Sequence, residues 1–178
     1  MNWEPWTGCY PISEGCANCY FYGPRAKRHG QNSIEKTDKF DWPIRTNAKG
    51  DYNIKGNKIL ATCFATDFFL PEADEWRGEA WAMMKQRPDI DFLILTKRID
   101  RFPISLPADW GAGYDNVNIG CTAENQAQAD YRLPLFLSYP PICMGWSMSR
   151  SGAKRGAMPA NAITTGYWAS ARNAWRQT

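Results

Sequence analysis

Cys9, Cys16 and Cys19 stand in a Cys-x6-Cys-x2-Cys pattern, within the run Trp6-Thr-Gly-Cys-Tyr-Pro-Ile-Ser-Glu-Gly-Cys-Ala-Asn-Cys-Tyr20. Three thiolates on one short loop can hold a metal centre and leave one coordination position open. Structural zinc takes four protein ligands, whereas a site kept open for substrate usually has three. On a four-iron cluster, three cysteines hold three irons and leave the fourth for a cofactor or substrate. Zinc needs a further ligand from elsewhere, and the one histidine, His29, lies ten residues beyond Cys19. The trio alone leaves zinc and iron–sulfur open. A protein ligand at the fourth position means zinc, and a vacant one means a cofactor.

The other cysteines, Cys63, Cys121 and Cys143, are isolated in apolar surroundings, where a free thiol behaves as a small hydrophobe. A secreted disulfide scaffold fits poorly. Half of the six cysteines crowd into eleven residues, and Met1-Asn-Trp-Glu-Pro-Trp6 lacks the basic and then apolar layout of a secretory signal. The expected location is a reducing cytoplasm. No uninterrupted apolar run reaches the ~18 residues of a membrane helix, so no membrane partner is expected. With 178 residues, 44% apolar and 22% charged, the chain suits one soluble domain with a real core. Nine tryptophans read first as core or interface anchors. A net charge of +3 is too mild to argue for nucleic acid. With a single histidine, and no Ser/His/Asp constellation or phosphate-binding glycine loop, ordinary acid–base catalysis is disfavoured.

The elements that position the trio alternate. A short strand around Asn2 to Trp6 precedes the cysteine loop. Tyr20 to His29 is polar and basic and could begin a helix, and residues 30–57 form a long irregular connection with several turn signals. Lys58–Ala65 is an apolar run read as a buried strand ending at Thr66 and Asp67. Pro71–Arg87 has a helical stripe (Trp76, Ala80, Met83, Met84) with Glu72, Asp74 and Glu75 in its first turn, and Pro88 stops it. Asp91–Thr96 is a second buried strand followed by Lys97 and Arg98. Val117–Cys121 is a third, followed by Thr122 to Asn125, and Glu124–Leu137 is a helix despite Pro134. Such alternation implies an α/β protein with parallel βα units. In these folds functional groups sit at the carboxyl ends of the strands. The polar residues collect at those ends, so one rim carries both them and the cysteine loop.

Several collinear stretches carry a resemblance. They are Trp3-Glu-Pro-Trp-Thr-Gly-Cys9, Gly15-Cys-Ala-Asn-Cys-Tyr20, Thr66-Asp-Phe-Phe69, Asp74-Glu-Trp-Arg-Gly-Glu-Ala-Trp81, Phe92-Leu-Ile-Leu-Thr-Lys-Arg98, Leu106-Pro-Ala-Asp-Trp-Gly111, Asn116-Val-Asn-Ile-Gly120 and Glu124-Asn-Gln-Ala-Gln-Ala-Asp-Tyr-Arg-Leu-Pro134. Over residues 1 to about 140 the chain resembles a phage- and bacterium-associated family of three-cysteine-motif proteins similar to radical S-adenosylmethionine enzymes. The resemblance implies a partial (β/α) barrel, a [4Fe–4S] cluster on Cys9, Cys16 and Cys19, and S-adenosylmethionine at the free iron. In enzymes of that kind, one electron passed through the cluster cleaves the sulfonium. The resulting 5′-deoxyadenosyl radical abstracts a substrate hydrogen, while the protein orients the cofactor and excludes water. It also implies an electron-donor protein, and it names no substrate. The commonest spacing in radical enzymes is Cys-x3-Cys-x2-Cys with an aromatic before the third cysteine. Here the first gap is six, and Tyr20 follows the third cysteine.

Candidate cofactor contacts are Tyr20, Thr66, Asp67, Lys97, Glu124 and Asn125. Each has a plainer account. Asp67 suits a capping or loop aspartate, and Glu124 a first-turn carboxylate favoured by the helix dipole. Lys97 or Arg98 could hold an anionic group, or one of the two could be a solvated neighbour. Residues 1–139 are expected to form the barrel-like domain. Residues 140–178 form a divergent basic tail, with Arg150, Lys154, Arg155, Arg172 and Arg176 and no acidic residue. That composition fits an out-of-frame or disordered segment of a truncated barrel, and it also fits a basic arm for nucleic acid. The competing class is a zinc-stabilised binding module, with nucleic acid or another protein as its partner. A third reading is a remnant that keeps a cluster without turnover.

Overall fold

The computed structural model describes residues 1–19, 33–139 and 144–148. The helix expected from Tyr20 to His29, Cys143 and the tail after residue 148 lie outside the described residues. A parallel five-stranded sheet dominates. It comprises β1 (Asn2–Trp3), β4 (Lys58–Thr62), β5 (Ile90–Thr96), β6 (Val117–Ala123) and β7 (Met144–Met148), side by side in that order. Each new strand joins the same edge as its predecessor, so the strand order never reverses. Right-handed crossovers then put successive helices on one face, as in an arc of a (β/α) barrel. The chain is an α/β protein with a partial barrel arrangement. The fifth strand lies beyond residue 139, where the sequence placed the end of the barrel-like domain.

The alternation of β5 shows how the sheet sits. Ile90, Phe92 and Ile94 are buried in the core, while Asp91, Leu93 and Leu95 between them are partly exposed. In β6 every residue is buried, as befits a central parallel strand covered on both faces. Register pairs Phe92 with Val117 and Ile94 with Ile119 on the core side. The helix α1 (Asp74–Gln86) packs Ala80, Trp81, Met83 and Met84 into that core, and α2 (Gln126–Ser138) adds Phe136. A short 3-10 turn, Pro71–Ala73, leads into α1. Four of the described tryptophans serve as anchors. Trp3, Trp6, Trp81 and Trp110 are buried, and rings run in contact from Trp6 to Phe68 (5.2 Å) and from Phe68 to Trp81 (4.8 Å). Arg77, on the buried face of α1, lay outside any apolar stripe. It reaches carbonyls of Phe68 and Leu70 and the carboxylate of Asp74.

Within the irregular connection, β3 (Glu35–Lys36) pairs antiparallel with β2 (Trp6–Thr7), forming a clasp that period-based reading of so short a segment misses. This clasp closes the base of the cysteine loop. Thr37 tightens it by donating from Oγ1 to the carbonyl of Glu4 at 2.6 Å. Gly8, just past β2, has φ +85°, and a Cβ there would collide with the carbonyl of Ser33. Glycine at that position satisfies both the left-handed backbone and the close approach. Cys63, directly after β4, adopts φ +56°, a costly conformation for a residue with a Cβ, and turns the chain toward Thr66 and Asp67.

Candidate metal centre

The x2 spacing of the second and third cysteines has a local cause. Residues Glu14–Asn18 form a 3-10 turn, with the amide of Cys16 donating to Ser13 and that of Cys19 to the carbonyl of Cys16 (2.9 and 3.1 Å). Residues i and i+3 eclipse one another in such a turn, which brings Cys16 and Cys19 to the same side. Cys16 is buried, and Cys9 and Cys19 are half-buried. None of the three is in a disulfide among the described residues.

The loop is docked on the carboxyl-end rim by groups from three strand ends. After β4, Thr66 donates its hydroxyl to the carbonyl of Gly8. After β5, Lys97 Nζ stands 3.8 Å from Cys16 Sγ, and Arg98 Nη1 stands 4.0 Å from Cys9 Sγ. Arg98 also donates to the carbonyl of Tyr10 at 2.7 Å. After β6, Glu124 accepts from the hydroxyl of Ser13. Asn125 Nδ2 reaches Glu14 at 3.4 Å.

Two buried carboxylates organise these groups. Asp67 accepts from the hydroxyl of Thr96 (2.8 Å), the amide of Lys97 (3.0 Å) and the amide of Phe69 (3.0 Å), and pairs with Arg98 at 3.3 Å. It ties the β4 and β5 ends together and aims the Arg98 fork at the loop. Glu124 pairs with Arg132 of α2 at 2.8 Å, both side chains being 2% exposed, and lies 3.8 Å from Lys97. Gly15 makes room for it: a Cβ there would come within 2.5 Å of Glu124 Cγ. Both glycines that precede a loop cysteine, Gly8 and Gly15, are therefore set by close approach.

Thiol acidity follows position. Burial pushes the Cys16 thiol up. Backbone hydrogen bonds at Ile12 and Ser13, the Ser13 hydroxyl and the charge of Lys97 outweigh it and leave the thiol below its ordinary value. Glu124 behaves alike: burial raises it, but Ser13, Arg132 and Lys97 hold it below the usual carboxylate value. Burial pushes Cys121 up to about 12 and Cys63 well above the ordinary thiol. Those two are the apolar cysteines expected from the sequence.

Of the candidate cofactor contacts, Thr66, Asp67, Lys97, Glu124 and Asn125 all meet around the loop, and Tyr20 and His29 lie outside the described residues. Asn125 caps α2, its Oδ1 accepting from the amide of Gln128 at 2.9 Å. Thr122, expected just after the third strand, lies within β6. Ser13 and Arg132 escaped sequence reasoning: both lie within the stretches quoted above, but neither type nor spacing marks a role for them there, and their signal is spatial. Among the described residues, no three His, Cys, Asp or Glu side chains stand close enough together to hold a metal ion. The loop thus supplies thiols and matching cations without a closed ligand set.

The family model for a protein of unknown function, DUF5131, matches residues 1–149. The chain belongs to that family. The match runs through β7 and takes in the cysteine loop and every rim residue described above. No curated protein and no solved structure matches the chain.

Proposed function

We propose that this DUF5131 chain is an iron–sulfur protein similar to radical S-adenosylmethionine enzymes, with Cys9, Cys16 and Cys19 as ligands of a [4Fe–4S] cluster. The observation that carries the reading is the docking of a three-cysteine loop on the carboxyl-end rim of a partial (β/α) barrel, with a cation beside each of two thiols. The donors fit such a centre in type, in number and in charge, because three thiolates and a cluster are anionic and Lys97 and Arg98 face them. Against burial, backbone hydrogen bonds, the Ser13 hydroxyl and the charge of Lys97 hold the Cys16 thiol below the ordinary value, in the direction that favours ligation. Gathering the three thiols is left to metal binding, which commonly organises its own ligands. When bound, the cluster would supply one electron for cleavage of S-adenosylmethionine at its open iron.

The protein's own share is positional. Thr66, Arg98 and Glu124 fix the loop at Gly8, Tyr10 and Ser13, and the β2–β3 clasp closes its base. S-adenosylmethionine, an electron-donor protein and a substrate complete the proposal, with a cytoplasmic setting. The competing zinc-stabilised module requires a fourth protein ligand, for which the sequence offers His29, outside the described residues. The test is anaerobic incubation of the iron-reconstituted chain with dithionite and S-adenosylmethionine. The expected result is 5′-deoxyadenosine and methionine from the unaltered chain, and neither from Cys9→Ala, Cys16→Ala or Cys19→Ala. Product from all three variants at the unaltered rate would refute it.

A further inference from the structure

Adjacent residues at a strand end usually point in different directions, one inward and one to solvent. Lys97 and Arg98 do not. They leave β5 side by side and both reach the cysteine loop, Lys97 to Cys16 (3.8 Å) and Arg98 to Cys9 (4.0 Å). Neither cation is loosely placed. Arg98 is buried against Asp67 at 3.3 Å and pins the loop backbone at Tyr10. Lys97 is steered by Glu124 at 3.8 Å, and its side chain is 19% exposed. Two carboxylates from neighbouring strand ends thus hold two cations against two different thiols. For a purely structural pair, that orientation would be wasteful, because the carboxylates alone would satisfy the cations.

We propose that Lys97 and Arg98 are built-in counter-charges of the loop, each assigned to one thiolate of the bound centre. This deepens the iron–sulfur reading and rests on it. A fixed cation beside an anionic cluster favours the more negative, reduced form, and it acts most strongly where water is excluded. The dipeptide therefore raises the reduction potential of the centre and stabilises the net negative thiolate–metal complex. Lys97 is the better residue to alter. Its loss leaves Glu124 paired with Arg132, whereas loss of Arg98 strands Asp67.

The experiment compares the unaltered chain with Lys97→Gln and Lys97→Arg in two measurements. The first is the midpoint potential of the anaerobically reconstituted protein, followed by EPR during a dithionite titration. Lys97→Gln is expected to change the reduced-to-oxidised ratio at fixed potential by about tenfold toward oxidised, which is ~59 mV more negative for a one-electron couple. Lys97→Arg, which keeps the charge, is expected to stay close to the unaltered chain. A structural role would not separate the two variants in this way. The second measurement is cobalt(II) affinity of the metal-free protein, read from thiolate-to-cobalt absorption. It is expected to weaken about tenfold in Lys97→Gln and to recover in Lys97→Arg. A cluster whose potential is the same in all three proteins would overturn the counter-charge role and leave the iron–sulfur reading standing. Failure to assemble a cluster, with cobalt affinity still dependent on the Lys97 charge, would remove the iron–sulfur reading and keep the counter-charge role. Absence of both effects would overturn both.

Discussion

Both ends of the sheet carry buried polar and charged side chains, yet they do different things. At the amino end, Arg87 is fully buried and spends its guanidinium on the carbonyls of Pro43 and Ile54, on Asp89, and on the face of Tyr52 at 4.0 Å. Beside it, Asn116 Nδ2 donates to the carbonyls of Met84, Arg87 and Ile90 at 2.9–3.1 Å. These groups staple the end of α1 to the start of β5 and are spent on backbone carbonyls, one carboxylate and one ring. At the carboxyl end, Asp67 and Glu124 hold cations whose other side faces sulfur. Polarity by itself therefore marks no site; what distinguishes the rim is that its charges face side chains capable of chemistry.

That contrast can be broken in order of expected effect. Arg87→Ala leaves buried carbonyls without donors and should cost about 3–5 kcal/mol, lowering the melting temperature by on the order of 10 °C. Iron bound per folded chain should not change. A loss of iron at constant folded fraction would erase the distinction between the two ends. Glu124→Gln acts at the rim, where it uncouples Arg132, Ser13 and Lys97 together. A destabilisation of about 2–3 kcal/mol is expected by calorimetry, and iron loading at limiting iron should drop several-fold. Gly15→Ala forces a methyl against Glu124 and should cost about 1–3 kcal/mol, again with reduced loading. Unchanged loading would mean that the loop is not held where it lies.

Acid provides a finer test of the same carboxylate. Its folded value lies below the ordinary one, so its stabilising effect is complete above the unfolded carboxylate value of about 4.3. That effect is lost as pH falls through the folded value. Between about pH 5 and pH 3, the unaltered chain should therefore lose stability more steeply than Glu124→Gln, as read by thermal melts at stepped pH. Parallel slopes would contradict the assignment. The smallest effect belongs to Cys121→Ala. Losing one buried sulfur should cost about 1 kcal/mol and leave metal content untouched, which separates core cysteines from loop cysteines.

Much of this contrast was legible in the sequence because it is written in periodic elements. The apolar runs at β4, β5 and β6 announced parallel strands, and the polar residues after each run fell on one rim by the logic of βα units. The docking was less legible. Arg132 sits in a helix whose sequence reads as an ordinary amphipathic segment, and its partner Glu124 looks like a first-turn acid. Ser13 is one of many loop serines. The β2–β3 clasp consists of two-residue strands, too short for any alternation to show. Residue spacing reveals which groups share an element. Which groups meet across elements depends on crossovers that bring Ser13 and Glu124 together from 111 positions apart.

The central claim is that the loop binds an iron–sulfur cluster with one iron open. Its most direct test is anaerobic iron and sulfide analysis combined with low-temperature EPR of the dithionite-reduced chain, with and without S-adenosylmethionine. The account predicts about four irons and four sulfides per chain and a reduced-cluster signal that changes when S-adenosylmethionine is added. Stoichiometric zinc, with no cluster signal under either condition, would contradict it and make the three cysteines a structural clasp.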